Sequence, residues 1–349
     1  MQKLDKLDIN SMTADELQAF LVMNHIPKYR SKQIFRWLHK HVVSDFTQMH
    51  NLPDDLICFL EHSCKITKIQ PKQEQISRDK TRKYLFQLED DKTIETVLIP
   101  ERRRKTICVS SQVGCGMGCT FCATGLQGFT RNLTAGEIAK QVEFIQHKQG
   151  NVTNVVFMGM GEPLNNYTPV MNSIAIMNHS DGISLGLRRF TISTCGIVPK
   201  IRQLANDNTQ VGLAVSLHAA NDRKRRLIMP AAEVYSIDML MDSCRYYAER
   251  TNRRITFEYA LIADFNDTLA DCRELVELLK DVNCHVNIIP INPVVQKYQR
   301  SQQSRIKAFV DYLNKNRIQA SVRKERGTDI EAACGQLKQS TREDYDEYS

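Results

Sequence analysis

The sequence predicts an α/β protein: a partial (βα)6 barrel preceded by a small helical domain and a connecting β-hairpin. Three observations carry this. From residue 106 onward, short apolar runs alternate with amphipathic stretches, the pattern of parallel strands covered by helices. Six or seven such repeats fit in the ~220 residues that follow, which suits a barrel or partial barrel. No G-x-G-x-x-G follows the first run, which weighs against a doubly wound sheet.

Residues 1–70 read as helical. Thr13 and Glu16 form a T-x-x-E capping box, followed by Leu17, Phe20, Leu21 and Met23 at helical spacing. A second helix, about 31–42, carries Ile34, Phe35, Trp37 and Leu38, and a third starts after Pro53. Segment 71–104 reads as a hairpin and basic linker. KYLFQL (83–88) alternates polar and apolar, Thr93–Ile99 does so again, and Arg102–Lys105 follow as a basic loop. The barrel spans 105–330. Its strands are TICVS (106–110), VVFM (155–158), RFTIS (189–193), VGLAVSL (211–217), ITFEYAL (255–261), VNIIP (286–290) and IQASVR (318–323). Its helices lie near 134–148, 167–178, 197–206, 236–250, 268–281 and 302–316. A loop (331–337) and a polar, acidic tail expected to be disordered (338–349) complete the chain.

Composition bounds the function. Of 349 residues 42% are hydrophobic and 25% charged, ordinary for a soluble globular protein. No run approaches the ~20 apolar residues of a membrane span, and MQKLDKLDIN lacks an apolar signal region, so a cytoplasmic protein without membrane contact is expected. The net charge of +7 is compatible with a polyanionic partner. Eleven cysteines without a secretory signal point to metal or catalytic thiols rather than disulfides.

Cys115, Cys119 and Cys122 form C-x3-C-x2-C in a glycine-punctuated loop, GCGMGCTFCATG. Thiolate clusters select zinc or iron–sulfur. A structural zinc site wants four ligands, usually as two C-x2-C halves, and no second half exists. Three ligands leave one position of a [4Fe–4S] cluster open for a cofactor. Polar residues end the following strands, where barrel active sites lie. Gly161 and Glu162 stand in the turn VFMGMGEPL, Ser193 ends the next strand, Ser216-Leu217-His218 the one after, and Asn292 a late one. All are candidate cofactor-binding residues, with Glu162 suited to accept from an ammonium group.

C-x3-C-x2-C after the first strand of a βα barrel resembles the radical S-adenosylmethionine (radical SAM) superfamily, which implies that the three cysteines hold a [4Fe–4S] cluster. The segments ETVLIP (95–100), CVSSQVGC (108–115), CTFCATGLQGFTRNLTAGEI (119–138), FMGMGEPLNN (157–166), STCGIVP (193–199), SLHA (216–219), NPV (292–294) and DIEAACGQL (329–337) are similar to the RlmN/Cfr family of radical SAM RNA methyltransferases. Glu162-Pro163-Leu164 and Gln127–Asn132 lean towards its RlmN branch. The resemblance implies methylation of C2 of the peptidyl-transferase-centre adenosine of 23S rRNA, and of the adenosine beside the tRNA anticodon, with two S-adenosylmethionine per turnover. It implies that Cys334, in the loop 331–337, carries the methyl group as S-methylcysteine. It further implies that Glu95 is the proton acceptor and that Cys108 resolves a protein–RNA adduct through a transient disulfide with Cys334. Cys195 is expected to line the site without reacting, and Cys58, Cys64, Cys244, Cys272 and Cys284 to be packing thiols.

Two alternatives stay open: a Cfr-type C8 methyltransferase conferring antibiotic resistance, and a non-catalytic, cluster-containing RNA-binding or assembly factor. The chemistry implies an electron donor such as flavodoxin or ferredoxin. A monomer is expected, with RNA contacts from Arg102–Lys105, Arg223–Arg226 and the first helical domain.

Overall fold

The computed structural model describes residues 6–207, 209–292, 294 and 297–338, so most of the expected acidic tail and part of the NPV segment lie outside the described residues. Strand β1 (Leu7–Asp8) leads into three helices, α1 (Ala14–Met23), α2 (Tyr29–His39) and α3 (Asp54–Ser63), and pairs in parallel with β2 (Cys64–Lys65), which joins the two ends of this helical module. Thr13 and Glu16 close the expected capping box on α1.

A ten-stranded sheet forms the body of the molecule. Strands β3 (Gln70–Ile76), β4 (Arg82–Gln87) and β5 (Thr93–Glu101) run antiparallel, and β5 pairs antiparallel with β6 (Arg104–Cys108). A small two-stranded ladder, β7 (Gln112–Gly114) with β8 (Phe129–Asn132), brackets the cysteine loop and the short helix α4 (Ala123–Leu126). Helix α5 (Ala135–Gln149) follows, capped by a box between Thr134 and Glu137. Strand β9 (Asn154–Phe157) then pairs in parallel with β6 and with β10 (Phe190–Thr194). From there β11 (Gly212–Ser216), β12 (Ile255–Leu261), β13 (Cys284–Pro290) and β14 (Ala320–Val322) extend the parallel sheet one neighbour at a time. The crossovers carry α6 (Tyr167–Asn178), α7 (Val198–Asn206), the short α8 (Asp222–Ile228) and α9 (Ala231–Val234), α10 (Ile237–Thr251), α11 (Leu269–Leu279) and α12 (Gln303–Lys315). Among the described residues no helix is long and apolar enough to cross a membrane.

The expected partial barrel is formed by seven parallel strands, β6 and β9–β14, and the expected hairpin is a three-stranded continuation of their sheet. Strand β3 escapes the sequence pattern because QPKQEQI is polar apart from Pro71 and Ile76, as an exposed edge strand tolerates. The basic loop is also shorter than expected. Arg104 opens β6 opposite Glu101, and the Lys105 ammonium donates to the carbonyls of Gln149 (2.6 Å) and Gly150 (3.2 Å), closing the C-terminus of α5. Lys105 is thus a helix cap rather than a free cation for RNA.

The strands alternate between buried positions facing the helices and half-exposed positions facing inward, as along β10 and β13. Thr106, Thr191, Ala214, Thr256 and Asn287 line a lumen of about 370 Å3. In closed barrels bulky branched side chains fill this space. Here small and polar residues leave it open.

The helical module is fastened to α5 through a buried pair, His39 Nδ1 2.6 Å from the Glu143 carboxylate, with the Lys140 ammonium 3.6 Å away on the other oxygen. Removing one partner leaves the other without its hydrogen bond in a dry interface. His39→Ala is expected to lower the unfolding free energy by about 2 kcal/mol in urea titrations; an unchanged midpoint and slope would show that the pair contributes nothing to the docking.

Candidate active site

The cysteine loop is shaped by backbone constraints. Gly114 sits at φ 73°, and a Cβ there would lie 2.1 Å from the Gly128 carbonyl oxygen, so only glycine lets β7 and the loop meet. The Cys115 amide donates to that carbonyl at 2.7 Å, the Cys122 amide to Cys119 O at 3.1 Å, and the Thr120 amide to Ile228 O on α8 at 3.1 Å. Cys115, Cys119 and Cys122 are half-buried and line one cavity of about 160 Å3 at the carboxyl ends of the strands.

The donor set fits an iron–sulfur cluster. Burial pushes the Cys115 thiol up to about 11 and Cys119 higher still, and each is raised further by a neighbouring cysteine of the loop. Loading the site therefore releases protons as thiolates form. Among the described residues no three His, Cys, Asp or Glu side chains converge on a single metal ion. Thiolates bound to three separate irons stand further apart than the ligands of one ion.

The opposite wall carries most of the expected strand-end residues. Gly161, Glu162, Ser193, Ser216, His218 and Asn292 all line this cavity, with Thr194 and Cys195 beside them. Leu217 does not. Its side chain is fully buried, and it contributes its carbonyl to Arg225 (3.2 Å) and its amide to Glu258 O. The Glu162 carboxylate is partly committed, accepting from the amides of Leu164 (3.0 Å) and Cys195 (2.8 Å), and burial raises its pKa. His218 adopts φ 57° and its Nδ1 accepts from the Ala260 amide at 2.8 Å, which places the ring proton on Nε2. Burial, helped by Arg225, drives its pKa down to about 3, so the ring is neutral and packs edge-on against Phe121 of the cysteine loop.

A second cavity, the lumen, meets the first. Cys108 lines the lumen, the three clustered cysteines line the first cavity, and Cys334 lines both, as do Met158, Glu258, Asn292, Arg323 and Leu337. Cys334 is solvent-accessible yet enclosed by protein, since the cavities supply its exposure. Burial raises the pKa of Cys334, while the Arg323 guanidinium pulls it down. Cys108 is pushed up to about 12 by burial and then by Cys334 itself, so the two thiols are electrostatic neighbours. Both are free thiols, so the transient disulfide expected between them is not supported by this structure.

Glu95 lies on β5 and is 3% exposed. One oxygen is 2.9 Å from the Lys83 ammonium and the other accepts from the Lys338 amide at 2.8 Å. Burial raises its pKa against the pull of Lys83. Glu95 borders neither cavity because the segment Leu337–Lys338 covers it. That segment is fastened at Gly335 O by the Ala123 amide (2.8 Å) and at Leu337 O by the Thr124 hydroxyl (2.5 Å).

Sequence reasoning missed Lys83, Glu258 and Arg323. Arg323 stands 3.5 Å from the Glu258 carboxylate and 3.7 Å from Met158 Sδ. A glutamate inside the apolar run ITFEYAL was the available signal, since a buried carboxylate needs a partner. The expected RNA surface at Arg223–Arg226 also shrinks. Arg225 is fully buried and Lys224 pairs with Asp271, which leaves Arg223 and Arg226 exposed. Cys58 is exposed rather than packed.

Comparison with known proteins places this geometry. Residues 109–289 match the radical SAM superfamily, and residues 7–66 match the ribosomal RNA large subunit methyltransferase N-terminal domain. The chain is 44% identical over 339 residues to a protein of Lachnoclostridium phytofermentans named probable dual-specificity RNA methyltransferase RlmN, covering 96% of this chain and 95% of that one. It is 46% identical over 338 residues to a protein of the same name from Alkaliphilus oremlandii, covering 96% and 98%. The crystal structure of a radical SAM methyltransferase from Sphaerobacter thermophilus superposes with a TM-score of 0.90 at 44% identity, covering 95% of this chain and 99% of that one.

Two outcomes follow for this site. Replacing Cys115, Cys119 or Cys122 by Ala is expected to abolish iron–sulfur absorbance after reconstitution while the chain stays folded by circular dichroism; a variant with full iron content would remove that cysteine from the ligand set. His218 stays neutral when folded but takes a proton below about pH 6.5 when unfolded. Unfolding therefore takes up a proton, and stability falls as pH drops from about 6.5 towards 3. The slope is up to about 1.4 kcal/mol per pH unit. His218→Gln is expected to flatten this acid limb in denaturant titrations; an identical slope would mean that the folded ring is protonated after all.

Proposed function

We infer the function of this chain from what it is, a member of the RlmN family of radical SAM RNA methyltransferases. It methylates RNA with a [4Fe–4S] cluster and S-adenosylmethionine. Cys115, Cys119 and Cys122 would hold the cluster, and Gly161, Glu162, Ser193, Ser216, His218 and Asn292 would surround the cofactor. Bound together, the two groups supply a 5′-deoxyadenosyl radical. The target we assign is C2 of the adenosine in the peptidyl-transferase centre of 23S rRNA, and the anticodon-adjacent adenosine of tRNA, with two S-adenosylmethionine consumed per turnover and a flavodoxin or ferredoxin as donor.

One observation carries the residue roles: Cys334 stands on the wall shared by the cavity of the cluster cysteines and the cavity of Cys108. An adenine C2 is electron-poor and does not displace a methyl group from a sulfonium. The Cys334 sulfur does so instead, as a thiolate favoured by the Arg323 guanidinium beside it. After hydrogen is removed from the S-methyl group, its carbon bonds to adenine C2 and tethers the RNA to Cys334. Glu95 accepts the C2 proton, with Lys83 holding it as a carboxylate beforehand, and the one electron left in excess on the adduct would return to the cluster held by Cys115, Cys119 and Cys122, which gave up one electron at the start of the turnover. The Cys108 thiolate then attacks the Cys334 sulfur. The sulfur–carbon bond breaks, its electron pair stays with the carbon and takes a proton, and a Cys108–Cys334 disulfide is left for a thiol reductant. For the base to reach Glu95, Leu337 and Lys338 must withdraw, and Gly335, at φ 85°, is the pivot. The exposed cations Arg102, Arg103, Arg223 and Arg226 are placed to meet phosphates, so affinity should fall steeply with salt.

The two thiols separate cleanly by substitution. Cys334→Ala removes the methyl acceptor and is expected to abolish RNA methylation with the cluster intact. Cys108→Ala keeps the acceptor but cannot release the product, so RNA covalently joined to Cys334 is expected to accumulate as a slow-migrating, nuclease-trimmed band. Normal turnover by Cys108→Ala without trapped RNA would refute the resolving role, and methylation by Cys334→Ala would refute the relay.

A further inference from the structure

Arg225 on α8 is a fully buried guanidinium that, among the described residues, forms no ion pair with a carboxylate. Its side chain is 0% exposed. Nη2 donates to Cys195 O at 2.6 Å and to Ser216 O at 3.3 Å, and Nε donates to Leu217 O at 3.2 Å. Nη1 is buried and donates to nothing. Among the described residues no carboxylate forms an ion pair with it. Asp222, one turn earlier, accepts the Ile237 amide instead. Burial works against the charge, yet arginine stays protonated at any working pH. An unpaired buried cation is a cost that folds rarely keep.

Its surroundings show what the charge faces. The carbonyls that Arg225 binds belong to the ends of β10 and β11, the strands whose Ser193, Thr194, Cys195 and Ser216 line the cofactor cavity. Three residues on, the Ile228 carbonyl of the same helix holds the Thr120 amide in the middle of the cysteine loop at 3.1 Å. Gly196, at φ 104°, keeps the approach open, since a Cβ there would come within 3.3 Å of Nη2 and 2.9 Å of Leu240.

We propose that Arg225 is a positioning residue whose fixed positive charge, one layer beneath the cysteine loop, is the counter-charge of the loaded iron–sulfur cluster and raises its reduction potential. Taking up one electron makes the cluster one unit more negative, and a buried cation behind it favours that state. The inference rests on the cluster assignment to Cys115, Cys119 and Cys122, and it concerns how readily a low-potential one-electron donor reduces that cluster.

The test compares reconstituted wild-type enzyme, Arg225→Gln and Arg225→Lys by dithionite potentiometry followed by electron paramagnetic resonance. Iron content is measured in each sample. Arg225→Gln is expected to make reduction at least tenfold less favourable, a shift of about 59 mV to more negative potential for one electron. Arg225→Lys, which keeps the charge but loses most of the carbonyl bonds, is expected to stay near wild type. Unfolding of apo and loaded forms is measured alongside. Removing an unpaired charge should cost the apo chain less stability than the loaded one. Equal potentials in Arg225→Gln and wild type would overturn the proposal. So would an Arg225→Gln chain that fails to fold without the cluster, or that loses the same stability in both forms, because Arg225 would then be a carbonyl clasp alone. Failure of the wild-type chain to take up iron would instead overturn the cluster assignment.

Discussion

The hydrogen bond between the Lys338 amide and the Glu95 carboxylate, 2.8 Å long and half-buried, is the contact on which the arrangement of the site depends. It fastens the C-terminal segment to a strand of the sheet, and the bonds at Gly335 and Leu337 fasten the same segment to the cysteine loop. Cys334 immediately precedes these attachments and stands on the wall common to two cavities. A carboxylate buried on β5 is costly without partners. Lys83 and the Lys338 amide satisfy it here.

The open lumen follows from residue choice rather than strand count. A barrel of this kind could fill its interior with valine and isoleucine. Thr106, Thr191, Ala214, Thr256 and Asn287 are too small or too polar to do so, and the space they leave runs to Cys108. Charged side chains line it as well, and two of them are coupled. Glu258 and Arg323 neutralise each other at 3.5 Å, and the guanidinium still reaches the Cys334 thiol. Burial raises the pKa of both the Cys108 and the Cys334 thiol, and the Arg323 guanidinium pulls both back.

Much of this was legible in the residues, for definite reasons. Helix 167–178 and strand 255–261 match their sequence patterns residue for residue, because each is an apolar run bounded by turn residues. Strand β3 was not legible, since an edge strand written QPKQEQI has no apolar face to betray it. In the site, the three clustered cysteines announce themselves by spacing, and Glu162, Ser193, Ser216 and His218 by standing at strand ends. Position along a strand does not say which way a side chain turns, and Leu217 turned into the core. Arg225 sat inside DRKRRLI, a run that reads as a solvated basic face, and nothing local distinguishes the one arginine that folds inward. The Lys338 contact joins residues 243 positions apart and has no local signature at all.

The central claim is that Cys334, through its place on the shared wall, is the methyl carrier. Tandem mass spectrometry of the Cys334 peptide tests it, taken from reconstituted enzyme incubated with S-adenosylmethionine and reductant but no RNA. The account predicts one added methyl group on the Cys334 sulfur and none on Cys108 or Cys195. An unmodified Cys334 in a preparation that methylates RNA once RNA is supplied would contradict it.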